Sequence, residues 1–194
     1  AEGLDRETAF RSASKPFQLA VSLAHLADPH DLWPAHLALG AASHSAEPRH
    51  LAVVQEILQR FACSEANLRC GAHPPMHVPS AEKILREGGV FTGLHNNCSG
   101  KHAFMLAAAA REGWDLDYRA STHPLQQHIR QKMTDWMDFA PSVAIDGCGV
   151  PTFVQPLSRA AQVWAELARA MDAAKPEDPW TQRLHRIGWA MAEN

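Results

Sequence analysis

The sequence predicts a mainly α-helical fold with a few short strands. Apolar residues recur three and four positions apart over most of the chain, which is the spacing of one buried helix face. Several of these segments open on a proline, which is favoured at the first position of a helix. Segments that resemble strands are few and short, and no repeat of roughly 20 to 50 residues is present. The 194 residues are therefore expected to form one domain, residues 1–194.

The predicted helices have recognisable starts. An early helix carries an apolar face from Phe17 to Leu26, and the next begins at Pro48. Farther along the chain, Thr122 is the expected cap of one helix and Ser158 the expected cap of another, because serine and threonine favour that position. The last helix is expected to follow Pro179.

Two strand candidates flank a turn that contains two glycines. They are Ser142 to Ile145 and Val150 to Val154, with Asp146-Gly147-Cys148-Gly149 between them. Pro151 and Pro156 argue against a central position in a sheet, because proline cannot donate a ladder hydrogen bond.

The composition excludes several classes of partner and indicates a compartment. The net charge of -3 arises from interspersed acids and bases, so no basic stripe predicts binding to nucleic acid. The longest apolar run, Ala103 to Ala110, is far shorter than the roughly 20 residues that span a membrane. Four cysteines without a CxxC pair favour reduced thiols or metal ligands over disulfides. We therefore expect a soluble, cytoplasmic protein with no membrane partner.

A serine and a lysine are spaced as SxxK in Arg11-Ser12-Ala13-Ser14-Lys15. One helical turn brings such side chains to one face, where a desolvated, neutral Lys15 amine can deprotonate the Ser12 hydroxyl. The motif alone is weakly specific, since Ser80 to Lys83 also matches it and there Ser80 is expected to cap a solvated helix. Pro16 disfavours helical geometry at Lys15 and leaves open whether the two side chains meet.

Two further polar clusters admit both a structural and a functional interpretation. Ser43-His44-Ser45 precedes a predicted helix start, where capping by Ser45 or Glu47 is the simpler interpretation. Cys98, Lys101 and Cys148 combine two thiols with an amine. Thiols at this separation are compatible with metal ligation, although lysine is a poor general ligand and buried free cysteines are the alternative.

Asp146 lies after a predicted strand and before a glycine. That position is typical of a side chain that grips a substrate, although an ordinary turn has the same pattern.

Four segments together resemble the L-asparaginase II family. They are RSASKPFQ at 11–18, SHSAEP at 43–48, HNNCSGKHAFML at 95–106 and DGCGVPTF at 146–153, and they occur in the family's order. The resemblance is to the Ser-Lys, zinc-containing class, which is similar in fold to serine β-lactamases and β-lactamase-like glutaminases. It implies that this mainly helical chain is the helical part of such an α/β fold.

The resemblance also implies catalytic roles for particular residues. Ser12 matches the family's nucleophile and Lys15 its partner lysine. Ser43 best matches the serine of a second Ser-Lys pair, with Ser45 as the alternative. Arg11 matches the adjacent arginine that contacts the substrate.

A metal centre and further substrate contacts are implied by the same comparison. Cys98, Lys101 and Cys148 match the family's zinc ligands. Asp146 matches the carboxylate that holds the substrate α-amino group, and His102, beside the ligands, is expected to contribute to substrate binding.

The activity implied is hydrolysis of the side-chain amide of L-asparagine to L-aspartate and ammonia through a serine acyl-enzyme, by a homodimer. The alternatives are a glutaminase, another SxxK acyl-enzyme, or a catalytically incomplete binding module held together by zinc. Family members extend beyond both ends of this sequence and carry another catalytic lysine in a glycine-rich region. The resemblance therefore places this chain in the family's central portion and leaves its catalytic completeness open.

Overall fold

The computed structural model describes residues 3–26 and 32–194, and their architecture is mainly helical, as predicted. The helices in these ranges are α1 (Lys15–Ala24), α2 (Pro34–Ala41), α3 (Pro48–Arg60), α4 (Val78–Arg86), α5 (Ser99–Arg111), α6 (Pro124–Met137), α7 (Leu157–Asp172) and α8 (Pro179–Glu193). The strands are β1 (Glu7–Ala9), β2 (Ser142–Ile145) and β3 (Pro151–Pro156). No helix in the described ranges is both long and apolar enough to cross a membrane.

The strands form one antiparallel sheet in the order β1-β3-β2. The expectation that the prolines exclude a central strand is wrong, because β3 lies between the other two. Pro151 pairs with Ile145 and Pro156 pairs with Glu7, so each proline stands at one end of the strand. At these ends a missing N–H leaves the internal ladder intact.

Most helix starts agree with the prediction, and the departures concern caps. α3 and α8 begin at the predicted prolines. α6 is capped by His123, whose ring accepts a hydrogen bond from the Leu125 N–H, so the assignment of Thr122 as the cap is wrong. Ser158 lies inside α7, which begins one residue earlier, and is not its cap.

The second SxxK match is structural, but Ser80 is not a helix cap. α4 begins at Val78 with His77 as its cap residue, and the Ser80 hydroxyl hydrogen-bonds the His77 ring at 2.8 Å. The histidine therefore occupies the position expected for Ser80.

Helices α1 and α5 form the centre of the core and also begin at the predicted chemical motifs. α1 packs against α2, α5, α6 and α8, and α5 packs against α1, α2 and α3. Side chains from Ala103 to Ala109 are all buried, which explains the alanine-rich run as close helix packing. Lys15 is helical, with φ -58° and ψ -41°, despite the proline that follows it. A short 3₁₀ turn, Arg11–Ser14, leads into it.

Gly100→Ala is expected to destabilise the fold by about 1–3 kcal/mol, because the new methyl group overpacks the α2–α5 contact. A Cβ at Gly100 would lie 2.6 Å from the Leu39 carbonyl oxygen, a backbone atom that cannot rotate away. Urea unfolding of purified variants measures the change.

Gly188→Ala in α8 is the matched control. Its Cβ would lie 2.5 Å from Met171 Cγ, a flexible and partly exposed side chain that can turn aside. We therefore expect the unfolding free energy to change by less than about 1 kcal/mol, since alanine also gains helix propensity. Equal losses in both variants would refute the tight α2–α5 contact.

Candidate active site

Three side chains from two segments form a continuous hydrogen-bonded line. The Lys15 Nζ donates to the Ser43 Oγ at 2.7 Å and to the Ala42 carbonyl oxygen at 3.0 Å. Ser43 Oγ in turn lies 3.1 Å from Ser12 Oγ. Lys15 begins α1, whereas Ser43 lies in the loop between α2 and α3. The structure thus joins residues that are far apart in the sequence. We call this line of Lys15, Ser43 and Ser12 the relay.

The SxxK pair interacts through this second serine. Within the described part of the chain, Lys15 has no direct hydrogen bond to Ser12, and Ser43 stands between them. Both serines are exposed, so both hydroxyls can be reached by a small molecule. Ser45, the alternative to Ser43, instead donates to the Glu47 carboxylate at 2.9 Å, and Glu47 is the cap residue of α3. The structural interpretation thus fits Ser45, whereas Ser43 is the serine that hydrogen-bonds Lys15.

Burial favours the neutral form of the Lys15 amine. Its side chain is 0% exposed, and desolvation lowers the pKa of its ammonium group below the ordinary value. The nearby Cys98 thiol opposes this shift, and the Lys101 ammonium adds to it. A lowered pKa raises the fraction of neutral amine, the form that accepts a proton from a hydroxyl.

Arg11 and Asp146 form an ion pair beside the serines. The Arg11 Nε lies 3.0 Å from Asp146 Oδ1, with the arginine side chain 66% exposed and the aspartate side chain 9% exposed. Arg11 has φ +45°, the left-handed region that is uncommon for a side-chain-bearing residue, and its N–H donates to Thr152 Oγ1 at 2.8 Å. β3 therefore holds Arg11 in a strained conformation next to Ser12.

A second cluster of buried polar groups lies behind the relay. Lys101 Nζ donates to Cys148 Sγ at 3.2 Å, and Cys98, Lys101 and Cys148 are all buried. The hydrogen bond between the two sulfurs, with Cys98 as donor, lowers the pKa of Cys148 and raises that of Cys98. The two sulfurs and the Lys101 amine thus lie together in a buried group, which we call the thiol cluster.

His102 lies next to the Cys148 side chain of this cluster. Its ring is 0% exposed, its Nδ1 lies 3.0 Å from the Tyr118 hydroxyl, and that hydroxyl accepts from the Arg69 N–H at 3.1 Å. Within residues 3–26 and 32–194, the buried Nε2 has no hydrogen-bond partner of normal geometry. Because His102 is fully buried, its role in substrate binding stays a prediction.

The side chains present fit the implied zinc ion in part. No three His, Cys, Asp or Glu side chains within residues 3–26 and 32–194 converge in a way that could hold a metal ion. The three predicted ligands include only two such residues, with a lysine as the third. Two neighbouring cysteine sulfurs, one with a lowered pKa, and a buried imidazole nitrogen nevertheless supply donor atoms of the kinds that zinc prefers.

His44 belongs to the same region, and its side chain was not assigned a role from the sequence. It is 4% exposed, its Nδ1 accepts from the Ala46 N–H at 3.2 Å, and its Nε2 lies 2.9 Å from Ser99 Oγ. Because Ser99 Oγ donates to the Leu94 carbonyl at 2.8 Å, it accepts from Nε2. The imidazole is therefore neutral with its proton on Nε2.

Acidification is expected to destabilise the fold through His44. Burial, aided by the His50 and Lys15 charges, lowers the pKa of His44 from 6.5 to about 4. The unfolded chain thus binds a proton that the folded chain rejects, so stability falls as the pH drops below about 6.5. Between pH 7 and pH 5 this site contributes a loss of about 2 kcal/mol.

The control for this prediction is His44→Gln, which cannot titrate. Urea unfolding at both pH values is expected to show a loss about 2 kcal/mol smaller in the variant than in the parent protein. The same pH dependence in both proteins would mean that His44 is not the group responsible.

A cavity of about 620 Å³ adjoins Ser43. It lies between α2, α3 and the end of α8. Its lining includes His44, Ser45, Glu47 and Met76. The exposed face of Ser43 therefore opens into a space larger than a single amino acid.

The sequence profile of the L-asparaginase II family matches residues 2–194. The chain belongs to the L-asparaginase II family. No curated protein sequence matches the chain. Membership in the L-asparaginase II family indicates an asparaginase-type amidohydrolase that acts on a small molecule. The four segments that carry the resemblance lie at the relay, at the ion pair and at the thiol cluster.

Proposed function

We propose that this L-asparaginase II family member hydrolyses L-asparagine to L-aspartate and ammonia through an acyl-enzyme on Ser12. The observation that carries the proposal is the line from the buried Lys15 amine through Ser43 to Ser12, which lies beside an exposed Arg11–Asp146 pair. A base, a hydroxyl relay and an exposed nucleophile are the parts that acyl transfer requires.

Acylation begins when Ser12 Oγ attacks the carbon of the substrate side-chain amide. The Ser12 proton passes to Ser43, and the Ser43 proton passes to the neutral Lys15 amine. Collapse of the tetrahedral intermediate breaks the C–N bond, and the proton returns along the same path to the leaving nitrogen, which departs as ammonia. Ser12 is left as the β-aspartyl ester.

Deacylation uses the same groups with water in place of the hydroxyl. Lys15, through Ser43, removes a proton from water, which attacks the ester carbonyl. The C–O bond to Ser12 breaks, and the proton returns to Ser12 Oγ. The products are L-aspartate and the original enzyme.

Arg11 and Asp146 orient the substrate in this proposal. The guanidinium of Arg11 matches the α-carboxylate, and the carboxylate of Asp146 matches the α-ammonium. In the free protein these two groups neutralise each other at 3.0 Å. A zwitterionic amino acid provides both partner charges in one molecule, so it can replace that pair and hold the amide near Ser12.

Cys98, Lys101 and Cys148 are proposed to hold a zinc ion. The ion supplies a cross-link that fixes the start of α5 against the loop that carries Asp146. At a free zinc concentration about 1,000-fold above Kd, binding adds about 4 kcal/mol to the unfolding free energy. Elemental analysis after purification without chelators is expected to find zinc, and Cys148→Ser is expected to lose both the metal and this stabilisation. Metal-free protein whose unfolding midpoint does not respond to zinc would contradict the assignment.

The experiment that tests the proposed activity measures ammonia release from L-asparagine and L-glutamine. We expect asparagine to be the better substrate, although one methylene group discriminates by only about 1–3 kcal/mol. A larger kcat/KM for glutamine would make the protein a glutaminase. Saturable substrate binding without turnover would support the binding-module alternative. The homodimer and the cytoplasmic location stay predictions.

A further inference from the structure

We infer that His44 is a positioning residue that fixes the Ser43 hydroxyl between Lys15 and Ser12. The inference rests on the proposed function, because it assigns His44 a role in the same proton relay. Within the described part of the chain, the ring hydrogen-bonds Ser99 and Ala46 and neither Ser12 nor Lys15, so it acts on the relay through the backbone of the neighbouring Ser43.

The segment that carries Ser43 has no regular structure of its own. α2 ends at Ala41 and α3 begins at Pro48, and the residues between them lie in neither a helix nor a strand. Ser43 itself is exposed, so core packing does not hold its side chain. Its placement in the relay therefore needs contacts made by its neighbours.

His44 supplies two bonds to the first residues around α5. Its backbone N–H donates to the Asn97 carbonyl at 3.1 Å, and its Nε2–H donates to Ser99 Oγ at 2.9 Å. Ser99 is anchored in turn on the Leu94 carbonyl at 2.8 Å. The residue next to Ser43 is thus tied at two points to a buried helix start.

The other nitrogen of the ring, Nδ1, stabilises the strained loop between α2 and α3. Ala46 has φ +58° and is 0% exposed, and its N–H is satisfied by the Nδ1 of His44. A side-chain-bearing residue in this region persists only where its surroundings enforce it. The two ring nitrogens of His44 thus have different partners. Nε2 hydrogen-bonds Ser99 in α5, and Nδ1 hydrogen-bonds Ala46 within the loop.

Two conservative variants separate these tasks. His44→Gln retains a donor near the Nε2 position, whereas His44→Asn retains an acceptor near Nδ1 and loses the donor to Ser99. A displacement of about 1 Å at a reacting group lowers the rate by up to about 100-fold. We expect kcat for L-asparagine to fall about 10- to 100-fold in His44→Asn, with KM changed less than about threefold. In His44→Gln, kcat should stay within about threefold of the parent value.

Ser99→Ala tests the bond from the opposite side. It removes the acceptor and leaves the histidine, so it is expected to lower kcat as His44→Asn does. The double variant should lose little more than either single variant, since both changes break one bond. Thermal unfolding of every variant measures how far each change destabilises the fold. A merely structural role would lower the activity of His44→Gln and His44→Asn alike and would not lower kcat while KM stays unchanged.

A crystal structure of His44→Asn provides a readout that does not depend on turnover. We expect Ser43 Oγ to have left hydrogen-bond distance of Lys15 Nζ, from the 2.7 Å of the parent protein. An unmoved Ser43, or a His44→Asn variant with the parent kcat, overturns the inference. If the parent protein releases no ammonia, the proposed function fails, and this distance alone decides the role of His44.

Discussion

Replacing Ser12 with alanine is expected to lower kcat for ammonia release from L-asparagine by about 10⁴-fold or more. The reason is that, in the proposed mechanism, Ser12 Oγ forms the covalent bond to the substrate. Stability should change little, because the side chain is exposed. Coupled detection of ammonia over a range of substrate concentrations measures the loss.

Ser22→Ala is the matched control for this substitution. The Ser22 hydroxyl is buried and donates to the Gln18 carbonyl at 3.0 Å inside α1, away from the relay. We expect its kcat to stay within about twofold of the parent value, since it removes no group that acts in acyl transfer. A Ser12→Ala variant that keeps its turnover while Ser43→Ala loses it would transfer the nucleophilic role to Ser43, which contacts the lysine directly.

Lys15→Met is expected to lower kcat by about 10²- to 10⁴-fold, the usual contribution of a positioned base. The unfolding free energy should be unchanged or higher, because methionine fills a similar space and removes the cost of burying an amine. Loss of activity together with retained stability is a combination that few substitutions of a fully buried residue produce. Steady-state kinetics and urea unfolding on the same preparation measure both quantities.

Lys15→Arg distinguishes a base from a fixed charge. Arginine is positively charged and cannot be deprotonated under these conditions, so this variant is also expected to be inactive. Lys83→Met, at a lysine whose side chain is 70% exposed on α4, serves as the control and should retain full activity. An active Lys15→Arg enzyme would show that the group acts by its charge and does not accept the serine proton.

Much of the helical fold follows from local sequence signals. The starts at Pro48 and Pro179 agree with the structure because proline and apolar spacing act over one or two turns. The central placement of β3 was not predictable in the same way. It depends on pairing with β1, which is 3 residues long and lies far away in the sequence.

In the candidate site, too, local patterns indicate individual residues but not the long-range contacts between them. The SxxK spacing made Ser12 and Lys15 candidates, but the spacing alone did not predict that Ser43 hydrogen-bonds both of them. The ion pair between Arg11 and Asp146 joins residues separated by 135 positions, a contact that local patterns do not encode. His44 was recognised only as part of a polar cluster, because its partner Ser99 belongs to a different helix.

The most direct test of the proposed mechanism is mass spectrometry of the enzyme after rapid acid quenching during turnover of L-asparagine. The account predicts a peptide that contains Ser12 with the added mass of an aspartyl ester, and no such adduct in Ser12→Ala. An adduct on Ser43, or steady ammonia release without any acylated peptide at the shortest quench times, would contradict it.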